Sequence, residues 1–300
     1  MNGILNLLKP PGMSSNQAVG KARRLAGEKK AGHTGTLDPA ACGVLPICLG
    51  KATRLFDQLV EKEKTYIAEL ALGVATDTGD AQGRIVARAD CRIGRAQLEA
   101  ALPAFRGDIQ QVPPMVSALK YKGQRLYQLA RQGVEVDRPA RPVTIHELTM
   151  TAQVAPNRYL LRVRCSRGTY IRALCEDIGA ALGVPAHMGF LLRGASGPFN
   201  LDNAVTLEQA EQAARQGRFA DLLLPMDMPL THLPAVRVGP EGVRFARNGT
   251  QVPLKWLEGP LPEDGQTARL QVDGAFWGLC AVDRAAGLLR IKSLLIDRES

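Results

Sequence analysis

The chain opens on an apolar run, Gly3 to Leu8, that stops at Lys9-Pro10-Pro11-Gly12-Met13-Ser14-Ser15. An apolar run closed by prolines reads as a strand, since proline gives a ladder no donor, and Ser14 or Ser15 can then cap a helix. That helix is predicted to about Ala26, with Val19, Ala22 and Leu25 or Ala26 turned inward. A second apolar run, Val44-Leu45-Pro46-Ile47-Cys48-Leu49, reads as buried, and Lys51 to Val60 as a short helix. Lys64 to Leu72 alternates with period two, which puts Tyr66, Ala68, Leu70 and Leu72 on one strand face. Residues 95–102 predict a helix, and Ser117 to Arg131 a strand, a turn and a basic helix. Arg141 to Met150 and Tyr159 to Cys165 read as strands. After them, with Thr169 a candidate cap, Ile171, Leu174, Ile178 and Leu182 share one helical face. Residues 206–215 predict an amphipathic helix. Pro225, Pro229 and Pro234 then mark a linker, and the short alternating runs beyond Leu233 have the pattern of a small β-barrel. The expectation is an α/β (α+β) domain over residues 1–230 and a β-domain over 231–300.

Between the first helix and the second apolar run lies a different kind of stretch, Gly32-His33-Thr34-Gly35-Thr36-Leu37-Asp38-Pro39-Ala40-Ala41-Cys42-Gly43. Three glycines and a proline in so short a span predict a shaped loop rather than a helix or a central strand. The loop offers a carboxylate, an imidazole and two hydroxyls beside a buried segment, the arrangement that holds a reactive side chain still. It is neither a Walker loop nor a dinucleotide fingerprint, because Gly-Lys-Ser/Thr and the required glycine spacing are both missing. Taken alone, Asp38-Pro39 is also an ordinary turn opener, and the periodicity alone makes Tyr66 a core residue. A pair between Arg172 and Glu176 at i+4 is worth about 0.2–0.5 kcal/mol, too little to explain an arginine there.

Charge narrows the function classes. The formal net charge is +9, and its distribution is uneven. Residues 1–60 carry eight Lys/Arg against three acids and residues 112–145 six against two, while residues 232–300 are nearly balanced. Cations gathered around the glycine-rich loop and one later segment suit a polyanionic partner such as nucleic acid. The six cysteines form no Cys-x-x-Cys pair and the four histidines no His-x-x-x-His pattern, so neither a metal nor a redox site is expected. The chain contains no apolar run of about 18 residues, and its first residues do not read as a signal peptide. The expectation is a soluble, cytoplasmic protein.

Gly32-His33-Thr34-Gly35-Thr36-Leu37-Asp38-Pro39, continuing through Gly43, Leu45, Pro46 and Gly50 to Ala52-Thr53, resembles the signature of the TruB family, the tRNA pseudouridine-55 synthases. Further blocks carry the likeness along residues 3–230: Lys9-Pro10-x-Gly12-x-Ser14-Ser15, Lys64-x-Tyr66 with Thr76-Asp77-Thr78-Gly79-Asp80, Ser166-Arg167-Gly168-Thr169-Tyr170-Ile171-Arg172, and Ala186 to Phe199. Val116, Leu192 and Gly194 depart from the residues usual in the family. The resemblance implies the pseudouridine synthase fold, a mixed, mainly antiparallel sheet flanked by helices, with a C-terminal barrel similar to a PUA domain. It implies isomerisation of uridine without a cofactor, with Asp38 as nucleophile, Arg172 pairing with it to keep it anionic, and Tyr66 stacking on the uracil and handling a proton. Tyr170 and Leu191 would line the uracil pocket, and His33 would fill the gap left by the flipped base. Lys9 would steady the catalytic loop or contact a phosphate, and, in an RNA-binding insertion over about 112–142, Lys120, Arg125 and Arg131 would contact phosphates. The implied partner is the T-arm of tRNA, met by a monomer with no obligatory partner protein. A guide-dependent synthase of ribosomal RNA and a non-catalytic RNA-binding protein are the alternatives.

Overall fold

The computed structural model describes residues 1–60, 63–117, 119–121, 123–134 and 136–296, and of Lys120, Arg125, Tyr127 and Arg131 the backbone alone. The first strand, β1 (Gly3–Lys9), is buried on both faces, with its one interior polar residue, Asn6, donating to the Asn200 carbonyl at 2.9 Å. It leads into helix α1 (Ser15–Leu25) through a capping box: the Gln17 amide donates to Ser14 Oγ at 3.2 Å while the Ser14 amide donates to Gln17 Oε1 at 2.8 Å. Strands β2 (Ala31–His33), β3 (Cys42–Leu49) and β4 (Lys64–Leu72) follow, with a 3₁₀ turn over Gly50–Leu55 and the short helix α2 (Phe56–Val60) between the last two. The hairpin β5 (Val74–Thr76) and β6 (Ile85–Arg88), helix α3 (Arg95–Ala101) and strand β7 (Gly107–Gln111) come next. The insertion holds β8 (Lys120–Tyr121), β9 (Gln124–Arg125) and α4 (Leu126–Arg131). Strands β10 (Arg141–Ala155) and β11 (Arg158–Cys165), helix α5 (Ile171–Ala181), strands β12 (Ala186–Ser196) and β13 (Phe199–Asn200) and helix α6 (Leu207–Arg215) complete the larger part.

The main sheet runs β1-β3-β12-β4-β11-β10-β7, with β2 on β3 and β13 on β12. Its pairs are antiparallel except β12 with β3, which run parallel over Leu192↔Cys42 and Arg193↔Gly43. There the strands approach so closely that a Cβ on Gly43, whose φ is +112°, would lie 2.2 Å from the Arg193 carbonyl oxygen. Period-two alternation sorts the edge strands between two cores. Leu5, Leu7, Leu45 and Ile47 join the large core under α1 and α5, whereas Ile4, Val44 and Cys48 face a second cluster. That cluster is shared with Leu279 and Leu295 of a C-terminal sheet.

The C-terminal sheet has six strands, β14 (Ala235–Val238), β15 (Val252–Pro253), β16 (Leu257–Glu258), β17 (Thr267–Val272), β18 (Ala275–Asp283) and β19 (Leu288–Leu294), in the order β15-β19-β18-β17-β14-β16. It curls into a nearly closed barrel around Val236, Leu270, Cys280 and Leu289, with helix α7 (Val243–Asn248) against it. No helix among the described residues is long and apolar enough to cross a membrane.

Three local expectations need correction. The stretch read wholly as loop lends Gly32-His33 to β2 and Cys42-Gly43 to β3, because the ladder with Ile47 and Cys48 satisfies backbone groups that a buried loop would strand. Thr169 does not cap α5: the N-cap is Tyr170, and Thr169 Oγ1 donates to the Ser166 carbonyl at 3.0 Å. The strand from Arg141 runs on to Ala155, since a chain of bulges lets it follow β11 past Met150.

Candidate active site

The loop between β2 and β3, which carries Asp38, is held from two sides. From the α1 side, Ser15 Oγ accepts from the Leu37 amide at 2.8 Å and donates to the Leu37 carbonyl at 2.9 Å, fixing the peptide unit before Asp38. The Gly12 amide donates to the Pro39 carbonyl at 2.8 Å. Lys9 is fully buried, and its ammonium donates to the carbonyls of Pro10 (2.9 Å), Met13 (2.6 Å) and Pro39 (3.3 Å). Burial lowers its pKa to about 8, so it keeps these three donors at neutral pH. The phosphate contact expected of Lys9 is thereby corrected: an ammonium turned inward onto three carbonyls fastens the loop and cannot meet RNA.

From the sheet side the loop is held by a residue the sequence reading passed over. Arg193 is 1% exposed, and its guanidinium donates to the carbonyls of Val44 (2.7 Å), Gly35 (3.0 Å) and Thr36 (3.3 Å). It also stands opposite Tyr66 across the β12–β4 ladder, where the two residues are paired. One buried cation on β12 thus ties the Asp38 loop to the sheet beside Tyr66. Replacing it by methionine leaves three carbonyls without their donor, and each orphaned buried group costs about 1–3 kcal/mol. Arg193→Met is expected to lose about 3 kcal/mol or more in chemical denaturation, with Arg193→Lys recovering part. Unchanged stability and turnover in both variants would show that the guanidinium holds nothing.

Arg172 is the second residue of α5, a helix whose start is clamped by the buried side chain of Gln111. Its amide donates to the Tyr170 carbonyl at 3.0 Å and its oxygen accepts from the Tyr170 amide at 2.7 Å. The Arg172 side chain, 4% exposed, reaches Asp38 Oδ2 at 3.1 Å and Asp80 Oδ2 at 4.0 Å. It also donates to the carbonyls of Thr78 (2.9 Å) and Val116 (2.7 Å). The i+4 alternative, Glu176, is not the partner it takes. Asp38 keeps 37% of its side-chain surface open to the cleft. Burial raises the Asp38 pKa above its ordinary value; Arg172 pulls it down, Asp80 pushes it up, and burial prevails. The pairing therefore limits the rise and does not reverse it.

Asp38 and Arg172 open into a cleft of about 550 Å³ that Tyr66, Tyr170 and Leu191 also line. Lys64, Arg141 and Arg167 add positive charge to it, a contribution the sequence reading did not assign. Burial raises the pKa of both phenols, so they enter the cleft as neutral O–H groups at neutral pH. His33 lies on β2 opposite Ile47, outside the cleft lining, with Nδ1 buried and its pKa lowered first by burial and then by Arg193. The side chains of Lys120, Arg125 and Arg131 lie outside the described residues. Among the described residues no group of three or more His, Cys, Asp or Glu is arranged to hold a metal ion. Cys42 is not an activated thiol: burial raises its pKa, Lys9 notwithstanding. The arrangement provides one oriented carboxylate, flat apolar and phenolic walls for a planar ring, and a cationic rim.

Comparison with known proteins gives the same picture along the chain. The profile of the TruB family pseudouridylate synthase N-terminal domain matches residues 23–171, and that of the tRNA pseudouridylate synthase B C-terminal domain matches residues 172–231. A tRNA pseudouridine synthase B of Geobacillus thermodenitrificans is 48% identical over 87% of this chain and 90% of its own length. That of Alkaliphilus oremlandii is 42% identical over the whole of both chains. Among solved structures, a Cbf5-Nop10-Gar1 complex aligns with a TM-score of 0.73 and 26% identity, over 99% of this chain and 85% of that one.

Proposed function

The chain belongs to the TruB family of pseudouridylate synthases and is an isomerase that forms pseudouridine in tRNA, and from that premise we propose that it acts on uridine 55 of the T loop, with Asp38 as its nucleophile. The observation that carries the residue assignment is the 3.1 Å pair between Arg172 and Asp38 at the floor of a cleft walled by Tyr66, Tyr170 and Leu191.

The target uridine swings out of its stacked loop into the cleft, at a cost of a few kcal/mol that phosphate contacts offset. Asp38, as the carboxylate, either attacks C1′ or removes the 2′ proton to give a glycal. On either route the C1′–N1 electron pair leaves with the uracil. The freed ring turns between Tyr66 and Leu191 while the walls keep it from escaping, and C5 then bonds to C1′. As it does, the Asp38–C1′ ester bond breaks and its electron pair returns to the carboxylate, or, on the glycal route, Asp38 gives the proton back to C2′. The C5 proton departs by way of the Tyr66 phenol and N1 gains one, so atoms and electrons balance with no external reagent. His33 occupies the gap in the loop. Lys120, Arg125 and Arg131 of the insertion hold the stem, and affinity falls with salt accordingly. Residues 1–230 form the catalytic unit and 231–300 the barrel unit, working in the cytoplasm as a monomer without a partner protein.

A T-arm stem-loop carrying tritium at C5 of its target uridine tests the reading. The wild-type protein is expected to release the label stoichiometrically as it makes pseudouridine. Tight binding without release would defeat the assignment of uridine 55.

A further inference from the structure

Beyond the cleft, three concavities join end to end. The first flanks the catalytic pair, lined by Asp38, Pro39 and Gly12 among others. The second, about 500 Å³, begins at the same Gly12 and follows the outer face of α1 past Asn16 and Gly20 to Lys21 and Arg24. The third, about 510 Å³, shares Lys21 and Arg24 and lies in the seam between α1 and α6, where Arg215 completes it.

The stripe along this groove has a composition of its own. α1 carries Lys21, Arg23 and Arg24 and no acidic residue. Near its middle Gly20 leaves the surface low, since a Cβ there would find nothing nearer than an Arg24 nitrogen at 4.0 Å. Arg24 and Arg215 are exposed. Opposing charge comes from Glu211, whose carboxylate lies 4.0 Å from Lys21 Nζ, and from Glu208, three residues earlier on α6. The helix of eleven residues spans about 16 Å, so the cationic end lies several nucleotides from Asp38. A long, open groove with cations gathered at its far end suits a charged polymer better than a small ligand.

We infer that the groove along α1, ending at Lys21, Arg24 and Arg215, carries the sugar-phosphate backbone of the RNA strand that continues from the flipped nucleotide. The inference rests on the RNA-substrate reading and extends it to a surface outside both the cleft and the insertion. These contacts position the strand and carry no base information, so their loss weakens binding without altering which uridine is modified.

The test uses the full chain with Lys21→Ala, Arg24→Ala and Arg215→Ala combined, and separately Glu211→Gln. Binding of the T-arm stem-loop and of full-length tRNA is measured across a salt series, with single-turnover pseudouridine formation at saturating RNA. The triple variant is expected to bind both RNAs about tenfold or more weakly near 0.1 M salt. The magnitude of its log–log salt slope should fall by about two to three, with an unchanged single-turnover rate. Glu211→Gln is expected to bind more tightly. Unchanged affinity and slope in the triple variant, with its melting temperature also unchanged, would overturn the inference. So would a loss confined to full-length tRNA, because the groove would then serve a part of the molecule outside the T arm. A wild-type protein that binds RNA but forms no pseudouridine would sink the catalytic reading instead, and the salt series would still judge the groove.

Discussion

Asp38→Asn is expected to abolish tritium release from the labelled stem-loop, lowering turnover by at least about 10⁴-fold while RNA affinity stays within a few-fold of wild type. Asparagine keeps the size and the hydrogen bond from Arg172 but cannot supply an electron pair to C1′ or accept the 2′ proton. Binding is expected to survive because the carboxylate is one group among many that line the cleft. Lost fold can be separated from lost chemistry by the sign of the linkage. The Asp38 pKa is raised in the folded protein. Any stability from this group is therefore fully present below its unfolded pKa and lost as pH rises through the folded value. At neutral pH the ionised carboxylate no longer helps the fold, so the variant is expected to melt at or above the wild-type temperature. A residual rate within about tenfold of wild type would remove Asp38 from the chemistry.

The second large effect is at Arg172. Arg172→Met is expected to lower turnover at neutral pH by about 10²–10³-fold, the range found when a preorganised charge partner is deleted. It also moves the pH profile, and the direction follows from the groups around the carboxylate. Arg172 pulls the Asp38 pKa down against burial and Asp80, so its removal lets the pKa rise further. The acid limb of the turnover profile, if set by Asp38, should move to higher pH than in wild type. Arg172→Lys keeps the charge and loses the fork, and its limb should fall between the two. A profile that keeps the wild-type limb in Arg172→Met would mean that the limb does not report Asp38.

The sequence made the reactive loop visible because glycine and proline density is a local property, and the strand of Tyr66 because alternation is local too. Its failures at the site are cases where a side chain answers to a distant segment. Lys9 closes an apolar strand, where charge normally turns to solvent, yet its partners lie in the α1 entry and at Pro39. Arg193 offered one usable signal: it stands two positions after Leu191 on a strand and so shares that residue's inward face. An arginine in an inward phase is one that some polar group must satisfy. Which carbonyls do so depends on the parallel β3–β12 contact, and no local pattern announces a parallel pair two residues long. Asp80 had a motif but no role until the hairpin folded it back to within 4.0 Å of Arg172. Thr169 was a reasonable cap by residue type, but Gln111, far away in the chain, holds the backbone of the helix start.

Arg172 touches four separate stretches at once: the loop of Asp38, the hairpin loop at Thr78 and Asp80, the insertion at Val116 and its own helix. Substitutions in these stretches therefore act on one shared group, and neighbours that share a partner do not contribute additively. In evolutionary terms the four stretches form an epistatic unit. An insertion transplanted from a relative would bring a new backbone position at 116 and with it a new setting of the guanidinium. Divergence in the insertion is thus tied, through one side chain, to constraint at Asp38.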